Sequence, residues 1–278
     1  LAQQLPGGEW RAYPGVSLPS LAAARLGWRL EEVACLGLHA APVEKLRRHL
    51  SEGARLIVTL RDGEAPAALG GYLASLGFGA SVLHVMEHLG GPKERIRRHA
   101  AADDLPRCGN LVACAIEVRG GKGLPHCSGL ADDLFDHDGQ ITKRPVRALA
   151  LSALAPRPGE LLWDLGAGSG SVGIEWLLSH PRNRAIGVER VAARAARARA
   201  NAASLGVPQL DVRQGRALDL LPELPAPDAV FVGGGLDGPA LPNDAGQHRV
   251  GFGEVAQGKL RGSGRGRHEA GAGLGQDD

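Results

Sequence analysis

The sequence predicts an α/β fold, because strand-length apolar runs alternate with segments of helical spacing over most of the chain. Its 278 residues are enough for about two domains. With 44% hydrophobic and 22% charged residues, the composition is typical of a globular protein. We therefore expect two α/β domains joined by a linker.

Residues 1–118 form the first predicted domain. A helix at 65–76 is closed by Gly77, and a helix at 92–102 begins with proline and ends with basic residues, which suits the helix dipole. A further helical segment is predicted at 42–50. Strands are predicted at 33–39, 55–60, 81–86 and 111–118.

Residues 119–135 are predicted to link the two domains, since glycines and a proline cluster there. The second domain is expected to cover 136–235. It opens with Thr142, which is a suitable N-cap for a helix at 146–154. Further helices are predicted at 171–179 and 191–205, and strands at 161–165, 185–188, 210–214 and 228–232.

Residues 236–278 are expected to be a disordered tail. They carry many glycines and few branched aliphatic residues, and they show neither strand nor helix period. The tail is either a natural low-complexity segment or the product of a lost reading frame near Gly235. We favour the second, because a doubly wound sheet would continue with further apolar strands.

The stretch 161–175 says most about function. An apolar strand is followed by three alternating glycines, Gly166, Gly168 and Gly170, and then by helical spacing. A strand, a glycine turn and a helix bring backbone N–H groups close to a ligand. Asp164 lies within the apolar strand, where a carboxylate is costly unless it is paired. This combination favours S-adenosylmethionine (SAM), which is cationic at its amine and sulfonium.

A dinucleotide is the competing ligand, because Gly168, Gly170 and Gly173 also fit G-x-G-x-x-G. The next predicted strand ends in Glu189, whose carboxylate could accept both ribose hydroxyls of either ligand. Asp164, just before the glycines, favours SAM, since dinucleotide strands are usually apolar there. The ordinary alternative is a βαβ unit with a tight turn.

Other features exclude classes of function. A net charge of +2 is too small to indicate nucleic-acid binding, and no run approaches the ~18 apolar residues of a membrane span. The arginines on the helix at 191–205 are interpreted as a solvated face. The four cysteines have no zinc-site spacing, so free thiols in a cytoplasmic protein are expected and no metal is predicted. No catalytic acid or base is identified; His137 is the nearest candidate.

The residues resemble a known family. The run 136–147 (DHDGQITKRPVR), followed by 163–172 (WDLGAGSGSV), is similar to the precorrin-6Y C(5,15)-methyltransferases (decarboxylating), bifunctional enzymes of cobalamin biosynthesis. Residues 136–235 resemble the start of their carbon 15 methyltransferase domain, which is Rossmann-like and releases the ring C acetate carboxyl as CO2. Residues 14–118 resemble the later part of their tetrapyrrole methylase domain, which methylates carbon 5.

The resemblance implies the site residues. Thr142 should lie near the entrance of the SAM site, Glu189 should hold the ribose, and Asp164 belongs to the same motif. The methionine end of SAM should be wrapped by Gly166, Ala167, Gly168, Ser169 and Gly170. The adenine should lie beside Gly215, Arg216 and Ala217, which could otherwise be an ordinary strand-end turn.

The implied substrate is a tetrapyrrole rich in carboxylates. Lys143, Arg144 and Arg147 could bind these carboxylates or could form a solvated basic face. A homo-oligomer is possible, and neither a nucleic acid nor a membrane is expected as a partner. The G-x-G-D-P loop of the family's first domain and the last strands of its second domain are not recognised in this sequence. We therefore expect the chain to be a fragment of such an enzyme. The alternatives are a generic SAM methyltransferase acting on protein or RNA, and an inactive SAM-binding fragment.

Overall fold

The structure, a computed structural model, describes residue 11, residues 13–233 and residues 249–252. In these residues the chain forms two five-stranded sheets, each with helices packed against it. The α/β class predicted from the alternating pattern is confirmed. In the described part of the chain, no helix has the length and apolar character needed to cross a membrane.

The first sheet is mixed. Only β1 and β2 are parallel, and the strand order is β1-β2-β5-β3-β4. The central strands are buried on both faces, which explains their nearly continuous apolar sequences. The elements are α1 Leu18–Leu26, β1 Val33–Gly37, β2 Arg55–Thr59, α2 Ala65–Ser75, β3 Val82–Glu87, β4 Arg95–Ala100 and β5 Val112–Glu117.

Two helical predictions in this half need correction. The helix predicted at 92–102 is wrong, because β4 pairs there antiparallel to β3. Glu87 accepts hydrogen bonds from Arg95 Nε at 2.8 Å and Arg97 Nη2 at 3.0 Å, so the basic residues stabilise a hairpin and not a helix end. The segment predicted at 42–50 forms a 3-10 helix over Val43–His49.

The predicted linker 119–135 is packed more tightly than expected. Gly120, Gly121 and Gly129 have positive φ, as turns require. However, Leu130 and Phe135 are buried in the core of the second sheet. The segment connects the two sheets, but its carboxyl-terminal part belongs to the second core because it supplies apolar side chains to it.

The second sheet is parallel throughout, with the order β10-β9-β6-β7-β8. The strand order reverses at β6, so the carboxyl end of β6 lies where such sheets bind ligands. Its elements are α3 Arg144–Leu154, β6 Leu161–Leu165, α4 Ser171–Ser179, β7 Arg184–Glu189, α5 Ala192–Ser204, β8 Asp211–Gln214, α6 Ala217–Leu220, β9 Ala229–Val232 and β10 Arg249–Phe252.

The expectation that 236–278 has no strand is wrong for β10. This strand pairs parallel with β9, and Val250 lies opposite Val230. Four residues with two apolar side chains are too short to show a period, so the open edge of β9 determines this strand and the sequence pattern does not. The rest of the predicted tail, 236–248 and 253–278, lies outside the described residues.

Candidate functional site

The glycine turn follows β6 at the carboxyl edge of the second sheet. Gly166, Gly168 and Gly170 have φ of 75°, 56° and 77°, a backbone region that other residues enter only with strain. The N–H groups of Gly166 and Ala167 donate to the Val188 carbonyl at 2.9 and 3.0 Å. The turn is therefore held against the end of β7.

Glu189, the last residue of β7, lies against this turn. Its side chain is buried, with 5% exposed. Oε2 accepts the Gly168 N–H at 2.9 Å, and Oε1 accepts the Val191 N–H at 2.8 Å. A carboxylate oxygen can accept more than one hydrogen bond, so both oxygens keep capacity for hydroxyl donors. The predicted ribose acceptor and the predicted glycine turn thus meet at one place.

Asp164 is buried inside the sheet with 1% exposed. Its Oδ2 accepts the Gly173 N–H of α4 at 3.0 Å. Burial raises the pKa of this carboxyl to about 7; the Gly173 N–H opposes the shift and the charge of Glu189 adds to it. The partner that the sequence required for Asp164 is therefore, within the described chain, a backbone N–H and not a basic side chain.

The position of Gly173 bears on whether G-x-G-x-x-G indicates a dinucleotide site here. It lies inside α4 and not in the turn, and a Cβ on it would stand 3.2 Å from Asp164 Oδ2. This glycine is needed so that α4 can approach the buried carboxylate. It therefore has a packing role that is independent of the G-x-G-x-x-G pattern.

The turn 215–217 reaches the same edge of the sheet. The Gly215 N–H donates to the Glu189 carbonyl at 3.0 Å, so the residues after β8 lie next to the end of β7. Arg216 is exposed and Ala217 begins α6. The adenine contact that the resemblance implies for this turn stays a prediction.

The prediction that Thr142 caps α3 is wrong. Lys143 occupies the N-cap, and its side chain makes no capping hydrogen bond. The Thr142 carbonyl instead accepts a hydrogen bond from Arg147 Nη1. Thr142 thus lies one residue before the N-cap, and its backbone carbonyl is bound to that buried guanidinium.

Arg147 does not fit either sequence interpretation, because it is fully buried. Its Nε donates to Glu175 Oε1 at 2.5 Å and its Nη1 donates to Asp132 Oδ1 at 3.0 Å. The guanidinium also lies 4.8 Å from the centre of the Phe135 ring. Arg147 therefore joins the linker, α3 and α4, and it is neither a substrate ligand nor part of a solvated face.

Lys143 and Arg144 are exposed at the start of α3, so carboxylate binding stays a prediction for these two. His137 Nδ1 accepts the Gly139 N–H at 3.0 Å, which is a local turn contact. Among the described residues, no group of three or more His, Cys, Asp or Glu side chains could hold a metal ion.

The sequence interpretation missed the inner face of α5. Arg194 and Arg197 were expected to be solvated, but they form ion pairs with Asp138 and Asp136 at 2.7 and 3.2 Å. Asn201 on the same face is buried and was not identified. The signal was present as the spacing 194, 197, 201, which places three polar residues on one side of a helix.

Comparisons with known proteins agree with the resemblance. Residues 133–255 match the family described as the precorrin methyltransferase domain. A precorrin-6Y C(5,15)-methyltransferase [decarboxylating] of Sinorhizobium sp is 50% identical over 239 residues, which is 84% of this chain and 58% of that protein. The chain thus spans less than two thirds of this relative.

Two further relatives cover a smaller part of the chain. A probable cobalt-precorrin-6B C(15)-methyltransferase (decarboxylating) of Pyrobaculum calidifontis is 38% identical over 118 residues, 41% of this chain and 60% of that protein. The solved C-terminal domain of precorrin-6Y C5,15-methyltransferase from Rhodobacter capsulatus is 50% identical, covers 40% of this chain and 60% of that one, and has a TM-score of 0.39. The chain is thus similar over 84% of its length to a precorrin-6Y C(5,15)-methyltransferase (decarboxylating), and its second half matches the precorrin methyltransferase domain.

Proposed function

We propose that the second sheet of this chain binds SAM and methylates carbon 15 of a precorrin, with loss of the ring C acetate carboxyl as CO2. The observation that carries the proposal is the contact of Glu189 Oε2 with the Gly168 N–H at 2.9 Å. It joins an acceptor for ribose hydroxyls to a glycine turn at the carboxyl edge of a parallel sheet, where nucleoside ligands bind.

The residues around the turn fit SAM. Gly166, Gly168 and Gly170 leave room for close approach of a ligand to the backbone. Glu189 lies at this edge of the sheet, and its carboxylate favours a ligand that carries positive charge. SAM supplies, when bound, a methyl group activated by a sulfonium.

The chain's own contribution to the reaction is binding and orientation. Methyl transfer to an electron-rich ring carbon needs alignment and no strong base, and the conjugated ring can take up the electron pair released by decarboxylation. Lys143 and Arg144, exposed at the start of α3, are suited to bind substrate carboxylates. Residues 14–118 are proposed to belong to the unit that methylates carbon 5 in the family.

Glu189→Gln tests the cofactor site. The substitution keeps the size of the side chain but removes its charge and one acceptor. Since hydrogen bonds to charged groups contribute about 1.5–3 kcal/mol, we expect binding of S-adenosylhomocysteine to weaken by about tenfold or more in isothermal titration.

Glu160→Gln is the matched control. Glu160 Oε2 also accepts a backbone N–H, that of Arg157 at 2.8 Å, but it lies before β6 at the opposite edge of the sheet. The affinity of the Glu160→Gln variant for S-adenosylhomocysteine should equal that of the wild type. Equal weakening by both variants would remove Glu189 from the site.

The reaction is tested by mass spectrometry of the product formed from one supplied precorrin. One added methyl group together with loss of CO2 is the expected result. Binding of S-adenosylhomocysteine without turnover would support the alternative of an inactive SAM-binding chain. Methylation of protein or RNA in place of the precorrin would support a generic methyltransferase.

A further inference from the structure

The inner face of α5 contacts a short segment that passes beside the glycine turn. Arg194, Arg197 and Asn201 are separated by three and four residues, so they form one stripe along the helix. This stripe faces residues 136–140, which we call the strap. The strap is the part of the chain that leads from the linker to α3.

We propose that Asn201 is a positioning residue of the SAM site, because it fastens the strap to the glycine turn. This inference rests on the proposed function. Asn201 is buried with 3% exposed. It belongs to a helix that is otherwise packed through alanines, so an amide there needs a specific reason.

The amide of Asn201 uses all of its strong hydrogen-bonding groups. Oδ1 accepts the Asp136 N–H at 2.8 Å, and Nδ2 donates to the Asp136 carbonyl at 2.9 Å. The other Nδ2 hydrogen goes to the Ser169 carbonyl at 2.9 Å. One side chain therefore binds the first residue of the strap on both sides and the glycine turn at the same time.

The far end of the strap reaches the turn as well. The Gln140 carbonyl lies 3.7 Å from the position that a Cβ on Gly168 would take. The N–H of that same glycine donates to Glu189. A shift of the strap would therefore change the space beside the group that holds the proposed ribose acceptor.

Ion pairs on the outer side of the strap also hold it against α5. Asp138 Oδ2 accepts from Arg194 Nε at 2.7 Å and lies 3.5 Å from Arg197 Nη1. The hydrogen bond from Arg194 is the main cause that lowers the pKa of Asp138 to about 2. These pairs are partly exposed and screened by salt, so the buried amide is the main anchor.

The test replaces the amide by an acid. Asn201→Asp retains an acceptor for the Asp136 N–H but removes the donor to two carbonyl oxygens and faces them with a carboxylate. We expect the Kd for S-adenosylhomocysteine to rise about tenfold or more at a temperature where the variant is fully folded.

Asn183→Asp is the matched control. Asn183 is equally buried, and its Nδ2 donates to the Trp176 carbonyl and to Ser179 Oγ, away from the glycine turn. The Asn183→Asp variant should lose stability as the Asn201→Asp variant does, but its Kd for S-adenosylhomocysteine should stay within about twofold of the wild type. Equal affinities of the Asn201 variant and the wild type would overturn the inference.

Amide hydrogen exchange of the wild type gives a second test that does not depend on a variant folding. S-adenosylhomocysteine should slow exchange in the strap more than at Gly159, whose N–H donates to Asn183 at 2.9 Å. Unchanged exchange in the strap would overturn the inference. A wild-type chain that binds no S-adenosylhomocysteine would instead remove the proposed function, and this inference with it.

Discussion

Asp164→Asn should change how the stability of the protein depends on pH. The Asp164 carboxyl is buried in β6, and its pKa is raised from 3.8 to about 7, with burial as the largest cause. The folded state therefore binds this proton more tightly than the unfolded state does. The contribution of this carboxyl to the free energy of unfolding is therefore largest at low pH, and it is lost as the pH rises from about 4 to about 7.

The magnitude follows from the shift. A difference of about three pKa units corresponds to roughly 4 kcal/mol of unfolding free energy once the carboxyl is ionised in both states. Between about pH 5 and pH 8 the loss is roughly 2–3 kcal/mol, because the unfolded-state carboxyl is already mostly ionised at pH 5. The asparagine carries no charge at any of these pH values and can still accept the Gly173 N–H.

Urea denaturation of the wild type and of Asp164→Asn at pH 5 and pH 8 measures this difference. The stability of the variant relative to the wild type should rise by roughly 2–3 kcal/mol from the lower to the higher pH. The other ionisable groups are the same in both proteins, so their contributions cancel in the comparison. Parallel pH profiles would refute the argument that Asp164 is ionised at a cost in the folded state.

Two other substitutions test the packing that supports the site. Arg147→Met should cost about 3–5 kcal/mol in denaturant unfolding, because it leaves the buried Glu175 carboxylate without its cation at 2.5 Å; a loss below about 1 kcal/mol would show that the pair is solvated. Gly170→Ala should lower the melting temperature more than Gly159→Ala. Both glycines have positive φ, with a cost of about 1–2 kcal/mol for a side chain, but only at Gly170 would the Cβ meet another side chain, that of Ala198 at 3.1 Å. Equal melting temperatures of the two variants would mean that α5 shifts at Ala198 to make room for the added Cβ.

Local sequence was sufficient where one segment carries the whole signal. The glycine turn after β6 could be predicted because its residues are contiguous and glycine accepts the three positive φ values without strain. Glu189 was predicted for the same reason, since it ends the next strand of the unit. The structure places these two features in direct contact through Gly168.

Local sequence failed where a partner lies far along the chain. Pro92 and the basic residues after it are typical of a helix, but pairing with β3 and the buried Glu87 makes that segment a strand. β10 is formed because β9 offers an open edge, and its own four residues show no period. In both cases hydrogen bonds across a sheet outweighed a weak local preference.

The sequence by itself determined the α/β class, the parallel-sheet unit with its glycine turn, and the acidic residue at the end of β7, because these depend on periodicity and on the backbone freedom of glycine. Tertiary structure alone decided the roles of Arg147 and Asn201. The two carboxylates that pair with Arg147 lie 15 and 28 residues away, and Asn201 binds residues 65 and 32 positions away. A buried polar side chain takes its role from the groups that satisfy it, and folding brings those groups together from distant parts of the chain.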